Sequence, residues 1–293
     1  MIGWLLYKKG KITKEGSASL AQLLINVIIP ATMINSFAVE KTPEKMKEFW
    51  ICLFLSLGIQ LIALLIARII FAKKPIPQFA AAFSNAGFIG IPLIQACFGD
   101  HAVFYLVWLL IILNVFQWTY GSMLILESVP ERGAEERPSL QSLLFSPIII
   151  AAVLGAVVFV TGAGGRLPSL ISGTIGSLSQ LNGPIAMIVL GVYLAQSDLL
   201  HALTDRTLLI TCAVRLIVIP AVFAVFLGFI PVNPEIRMAL YIAGAAPAGA
   251  NVAVYSQLYH ADYASACRIV TLSTILSIVV LPVMIAFASL LIH

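Results

Sequence analysis

Long apolar runs separated by short polar loops fill the chain from end to end. They predict membrane-spanning helices at about 17–37, 49–72, 76–98, 102–127, 141–162, 170–197, 206–229, 235–259 and 264–292, each near the roughly 20 residues that cross a hydrocarbon core as helix. Residues Met1 to Tyr7 are apolar but too few to span, and the basic run Lys8-Lys-Gly-Lys-Ile-Thr-Lys14 follows them. A signal peptide carries its charges before the apolar segment, not after it. The start therefore reads as the tail of a first span whose beginning is missing, which brings the expected total to ten. The most polar stretch, 128–140, divides the chain into a first half at 1–127 and a second half at 141–293.

Composition agrees with this pattern. The 293 residues are 60% hydrophobic and 10% charged, against about 25% charged in soluble domains. The fold class is all-α integral membrane, with no room for a soluble domain. The net charge of +4 comes from Lys and Arg near span ends rather than from a basic stripe, which argues against nucleic-acid binding. If loops alternate sides, Lys8, Lys9, Lys11, Lys14, Arg68, Lys73, Lys74, Arg132, Arg137, Arg206 and Arg268 share one side. Lys41, Lys45, Lys47, Arg166 and Arg237 take the other. The positive-inside rule assigns the richer side to the cytoplasm.

Cys52, Cys97, Cys212 and Cys267 lie singly in or beside apolar segments, without the close pairing of zinc or redox sites. The four histidines fall near loop or chain ends. No His-Glu-x-x-His, Gly-x-Ser-x-Gly or intramembrane aspartate pair is present. An enzyme, a metal site and a cofactor are therefore not expected.

Two halves of five spans have opposite orientations because five is odd, so similarity between them is an inverted repeat. A shift of 162 residues places Asn85-Ala-Gly87 on Pro247-Ala-Gly249, Gln95 on Gln257, Asp100 on Asp262 and Ala102 on Ala264. A slightly different shift places the segment ending at Pro30 on the one ending at Pro184. The fourth and ninth spans, counting the truncated start as the first, are the interrupted ones. Gly87, Gly90 and Pro92 weaken one, and Pro247 and Gly249 the other. Irregular backbone at membrane depth survives only inside protein or beside a watery cavity. Interrupted spans in corresponding positions of two inverted halves point to a transporter's substrate site, where half-helix N-termini suit an anion. For Gly155, Gly173 and Gly191 the favoured reading is close helix packing.

These same residues carry a family resemblance. Asn85-Ala-Gly-Phe-Ile-Gly-Ile-Pro-Leu93 with Phe98-Gly-Asp100 resembles the fourth-helix signature of the auxin efflux carrier family, which includes bacterial organic-acid carriers and plant PIN-FORMED proteins. Ala246-Pro-Ala-Gly-Ala-Asn-Val252, Arg215-Leu-Ile-Val-Ile-Pro220 and Ser273-Thr-Ile-Leu-Ser-Ile-Val-Val-Leu-Pro282 are also similar to it. The resemblance covers the whole chain in order. It implies two inverted five-helix repeats with broken crossover helices, as in sodium/proton antiporters and bile-acid symporters. It also implies small organic anions, malate-like carboxylates among them, as substrates, elevator-type alternating access and dimerisation through a scaffold part. Short loops resemble bacterial members, for which the location is the cytoplasmic (inner) membrane.

On this reading Asn85 donates to a substrate carboxylate and Asn251 makes the matching contact. Pro92 and Pro247 hold the breaks open, while Gly87, Gly90 and Gly249 let the chain bend. Asn26, Asn182 and Gln180, near Pro30 or Pro184, fit either a pocket wall or hydrogen-bonded glue between helices, as do Asn114 and Gln117. Arg215 sits well inside an apolar run, where a charge costs about 3 kcal/mol or more. Attracting the anion, capping carbonyls at a break and snorkelling to an interface all fit it. No acidic residue lies mid-span, which favours a substrate gradient, the membrane potential or anion exchange over proton antiport. A sodium-coupled symporter and a solute-binding membrane sensor are the competing functions.

Overall fold

The computed structural model describes residues 2–129, 145–164, 167–196 and 204–292. In chain order the helices are α1 (Ile2–Lys8), α2 (Glu15–Phe37), α3 (Pro43–Ile70), α4 (Pro75–Ala82), α5 (Ala86–Phe98) and α6 (Asp100–Glu127). They continue as α7 (Pro147–Thr161), α8 (Ser169–Gln196), α9 (Arg206–Gly228), α10 (Pro234–Ala245), α11 (Asn251–Leu258) and α12 (Tyr263–Ser289). No strand occurs among the described residues, and the protein is an all-α integral membrane protein. The expected linker lies outside the described residues from position 130 onward, as do Arg132, Arg137 and Arg166.

Six helices, α2, α3, α6, α8, α9 and α12, are long and apolar enough to cross a membrane unbroken. The hydropathy pattern predicts nine. The difference is physical: the fourth span is split into α4 and α5, the ninth into α10 and α11, and each half is too short to cross alone. In the sixth, α7 has 15 described residues. Helix α3 starts at Pro43 rather than near 49, because Thr42 caps it by accepting from the N–H of Lys45 at 3.2 Å. Its polar first turn is invisible to a hydropathy window. Asp205, Asn233 and Asp262 cap α9, α10 and α12 in the same way.

Three prolines leave a common imprint. Pro30, Pro92 and Pro220 each follow, by two residues, a widened helical turn of i→i+5 type, at Leu24–Ile28, Ala86–Gly90 and Val214–Val218. Proline lacks the N–H and clashes with the carbonyl four residues back. A widened turn ahead of it relieves the clash without ending the helix.

At one end of the bundle Phe37, Phe49, Phe104 and Phe159 interlock, with centroids 5.3 to 6.4 Å apart, and join α2, α3, α6 and α7. Gly155 admits the Phe37 ring: a methyl there would lie 2.4 Å from Phe37 Cδ2. Gly191 admits the backbone of α1 in the same way, and a methyl on it would lie 3.0 Å from Gly3 Cα. Gly173 has nothing within 4 Å of such a methyl among the described residues, so none of these accounts for it. His101 Nε2 and Glu235 Oε1, 2.6 Å apart, link the starts of α6 and α10.

Candidate functional site

The two breaks meet. Ser84 and Ala248 form an antiparallel bridge, in which the N–H of Asn85 donates to Pro247 O at 2.8 Å and the N–H of Gly249 donates to Phe83 O at 2.9 Å. This reciprocal pair has local two-fold symmetry, relating Asn85 to Gly249 and Ser84 to Ala248. The bridged residues are 164 positions apart; the 162-residue shift aligns Asn85 with Pro247, which are hydrogen-bond partners in this bridge. Gly249 lies so close to the partner segment that a methyl would sit 3.2 Å from Ser84 O. At Gly90 a methyl would sit 3.3 Å from Ala243 Cα, so α5 packs directly on the backbone of α10.

The carbonyls freed by the two breaks have found donors, as buried backbone requires. Arg215, 1% exposed on α9, donates through Nε to Ala246 O at 3.0 Å and through Nη1 to Ala81 O at 2.9 Å. Its Nη2 donates to Gly244 O. Of the readings open from the sequence, carbonyl capping is the one these contacts describe, and its depth in the bundle excludes snorkelling. Gln60, buried on α3, donates to Ala82 O at 3.4 Å, and the N–H of Ala248 donates to Ser273 Oγ on α12 at 3.2 Å. Gln60 and Arg215 occupy the third span of their respective halves and serve corresponding helix ends. Sequence reasoning passed over Gln60 and did not assign Ser273 a role. The signal for Gln60 was present, as a buried amide in an otherwise apolar run.

Asn85 Oδ1 accepts from the N–H of Phe88 at 3.3 Å, capping α5. Its Nδ2, in a residue 5% exposed, has no partner among the described residues. Ser84 Oγ, Asn114 Oδ1 and both amide atoms of Asn182 share that condition. Native proteins rarely leave such groups unmatched. Asn251 Nδ2 donates to Gln117 Oε1 at 2.6 Å, bringing α6 against the second break, and Asn114 lies one turn before Gln117. Asn182 opens the second part of α8 beside Gly183, where a methyl would lie 3.8 Å from Pro92 Cβ. Gly87 faces Ile29 on α2. Thus Asn85, Gly87, Gly90, Pro92, Pro247, Gly249, Asn251 and Arg215 assemble at the junction, with Asn114 and Asn182 on helices against it.

Asn26 belongs elsewhere. It is exposed on α2, at the end of a polar row formed by Glu15, Ser19, Gln22 and Asn26 at helical spacing. That row begins at a cavity of about 580 Å³ between the start of α2, the end of α8, α11 and the first half of α12. Tyr193, Gln196, Ala250, Tyr263, Cys267 and Arg268 line it. It reaches the junction at Ala250, next to Asn251. Tyr193, Gln196, Tyr263, Cys267 and Arg268 were not singled out as binding residues from the sequence, because each stands near a span end, where polar side chains are ordinary.

Over residues 1–285 the chain matches the family model described as membrane transport protein. The chain belongs to that family, the auxin efflux carrier family whose signatures the fourth and ninth spans carry. It is also similar to a protein of Methanothermobacter thermautotrophicus described as an uncharacterized transporter. The two are 28% identical over 297 residues, which cover 96% of this chain and 92% of the relative. It is thus a multi-pass membrane transporter of that family.

Proposed function

We propose that the protein is a secondary carrier of small organic anions in the cytoplasmic membrane, with the carboxylate held at the junction of the two broken spans. The observation that carries this reading is the amide Nδ2 of Asn85. It is a buried donor without a partner among the described residues, at the N-terminus of α5, where the helix dipole favours negative charge.

Elevator motion is the mechanism we propose, and the way the junction is tied supports it. Hydrogen bonds donated by Gln60 and Arg215 and accepted by Gln117 and Ser273 bind the crossed breaks to α3, α9, α6 and α12, so these elements would travel as one body. Helices α2 and α8 form the opposing wall of the cavity. The basic run at 8–14 leads into α2, and the positive-inside rule puts that end in the cytoplasm. The cavity then opens inward, and the arrangement corresponds to an inward-facing state.

The test is uptake of radiolabelled mono- and dicarboxylates into proteoliposomes, comparing the wild type with Asn85→Ala. Saturable uptake that disappears in the variant supports the reading. Unchanged uptake in the variant moves the site elsewhere. No uptake of any anion under imposed sodium, proton or potential gradients sinks the anion-carrier reading.

A further inference from the structure

Helices α4 and α10 both end at the junction, so two negative helix ends converge there, each equivalent to about half an elementary charge. Together they amount to about one negative charge in a dry setting. Helix C-termini and unwound carbonyls of this kind are the ligands that transporters with broken helices offer to a coupling sodium ion. Here Ala81 O, Gly244 O and Ala246 O are all taken by the single guanidinium of Arg215. No carboxylate pairs with Arg215 among the described residues. Its charge is therefore balanced by the helix ends and not by an acidic side chain. The fork geometry of guanidinium suits this role, since its fixed N–H groups diverge toward separate acceptors.

We propose that Arg215 is a tethered cation standing where a coupling cation would bind, so the junction works without sodium. Sodium does not fit this carbonyl set while Arg215 fills it. The arginine acts as a positioning residue: it holds the C-terminal ends of α4 and α10 together and so fixes where Asn85 is presented. This goes beyond the choice of substrate, and its test needs no transported solute.

The experiment uses the full chain in lipid nanodiscs, with thermal unfolding and amide hydrogen exchange as readouts. In the wild type, sodium chloride and N-methylglucamine chloride at equal ionic strength are expected to give the same melting temperature. Exchange at 81–85 and 244–249 should also be equal. A sodium-specific rise in melting temperature, or sodium-specific protection of those segments, overturns the proposal whatever any variant does. In Arg215→Ala the melting temperature is expected to fall by about 5 °C or more. Millimolar methylguanidinium should recover at least half of that loss, with no effect on the wild type. An Arg215→Ala protein that stays helical but is restored by neither methylguanidinium nor sodium shows that no cation site was vacated, and the proposal fails.

Discussion

The backbone N–H of Asn85 donates to the carbonyl of Pro247 at 2.8 Å, and its symmetry mate, Gly249 N–H to Phe83 O, lies 2.9 Å away. Two chain breaks far apart in sequence thereby become one rigid crossing. The pairing also dictates residue size, because a side chain at Gly249 points at the carbonyls of the partner segment.

Gly249→Val should therefore weaken the crossing. Even its first carbon would sit 3.2 Å from Ser84 O and 3.3 Å from Phe83 O, so the segments must separate. The expected cost is about 1–3 kcal/mol, typical of overpacking. Thermal unfolding measures it, and faster hydrogen exchange at Asn85 should accompany it. A wild-type melting temperature would show that the segments are not in contact.

Asn85 has two separable tasks, and two substitutions divide them. Asn85→Asp keeps an acceptor for the N–H of Phe88 and should retain the cap. Asn85→Ala should lose about 0.5–2 kcal/mol with it. Both remove the Nδ2 donor, so both should abolish carboxylate uptake in proteoliposomes. Uptake retained by Asn85→Asp would mean that the donor does not face the anion.

Much of this was legible in the sequence because the signals are local. Apolar run lengths gave the spans, and Gly87, Gly90, Pro92, Pro247 and Gly249 marked the two breaks. What could not be read were choices made across the bundle. That Arg215 would reach Ala81 O as well as Gly244 O and Ala246 O depends on how α9 crosses both broken spans. Backbone carbonyls carry no residue identity, so a cap supplied from another helix leaves no motif. The same holds for Gln60 on Ala82 O. The bridge between Ser84 and Ala248 also leaves no motif, because it is made by backbone groups alone.

Gln117 and Asn251 join α6 to α11 through a side-chain hydrogen bond of 2.6 Å. Between helices in a membrane such a bond is worth about 0.6 kcal/mol on average. A double-mutant cycle of Gln117→Leu and Asn251→Ala should return a coupling energy of that order in unfolding measurements. Strict additivity would show the two side chains to be independent.

Two glycines that look alike in sequence should respond oppositely to alanine. At Gly155 the new methyl would lie 2.4 Å from the Phe37 ring, in the aromatic cluster joining α2, α3, α6 and α7. Gly155→Ala should cost about 1–3 kcal/mol. At Gly173 the space is open, and Gly173→Ala should gain up to about 1 kcal/mol from helix propensity. Melting temperatures of the two variants decide it. Loss of stability at Gly173 would indicate that a second molecule packs on that face.

The cavity gives a test of orientation and access that needs no assumption about the solute. Cys267 lines it, Cys97 is exposed elsewhere, and Cys52 and Cys212 are buried. In a Cys97→Ser background, a membrane-impermeant maleimide should react with Cys267 from the side carrying the Lys8–Lys14 run, with the two buried thiols silent until the protein is denatured. Comparing intact cells with inside-out vesicles identifies the side. Because Cys267 shares the cavity with Ala250, a solute that enters by this route and reaches Asn251 should slow the reaction. Modification only from the opposite face would reverse the assigned topology. Equal modification from both faces would mean that the crossing of the broken spans does not seal the cavity.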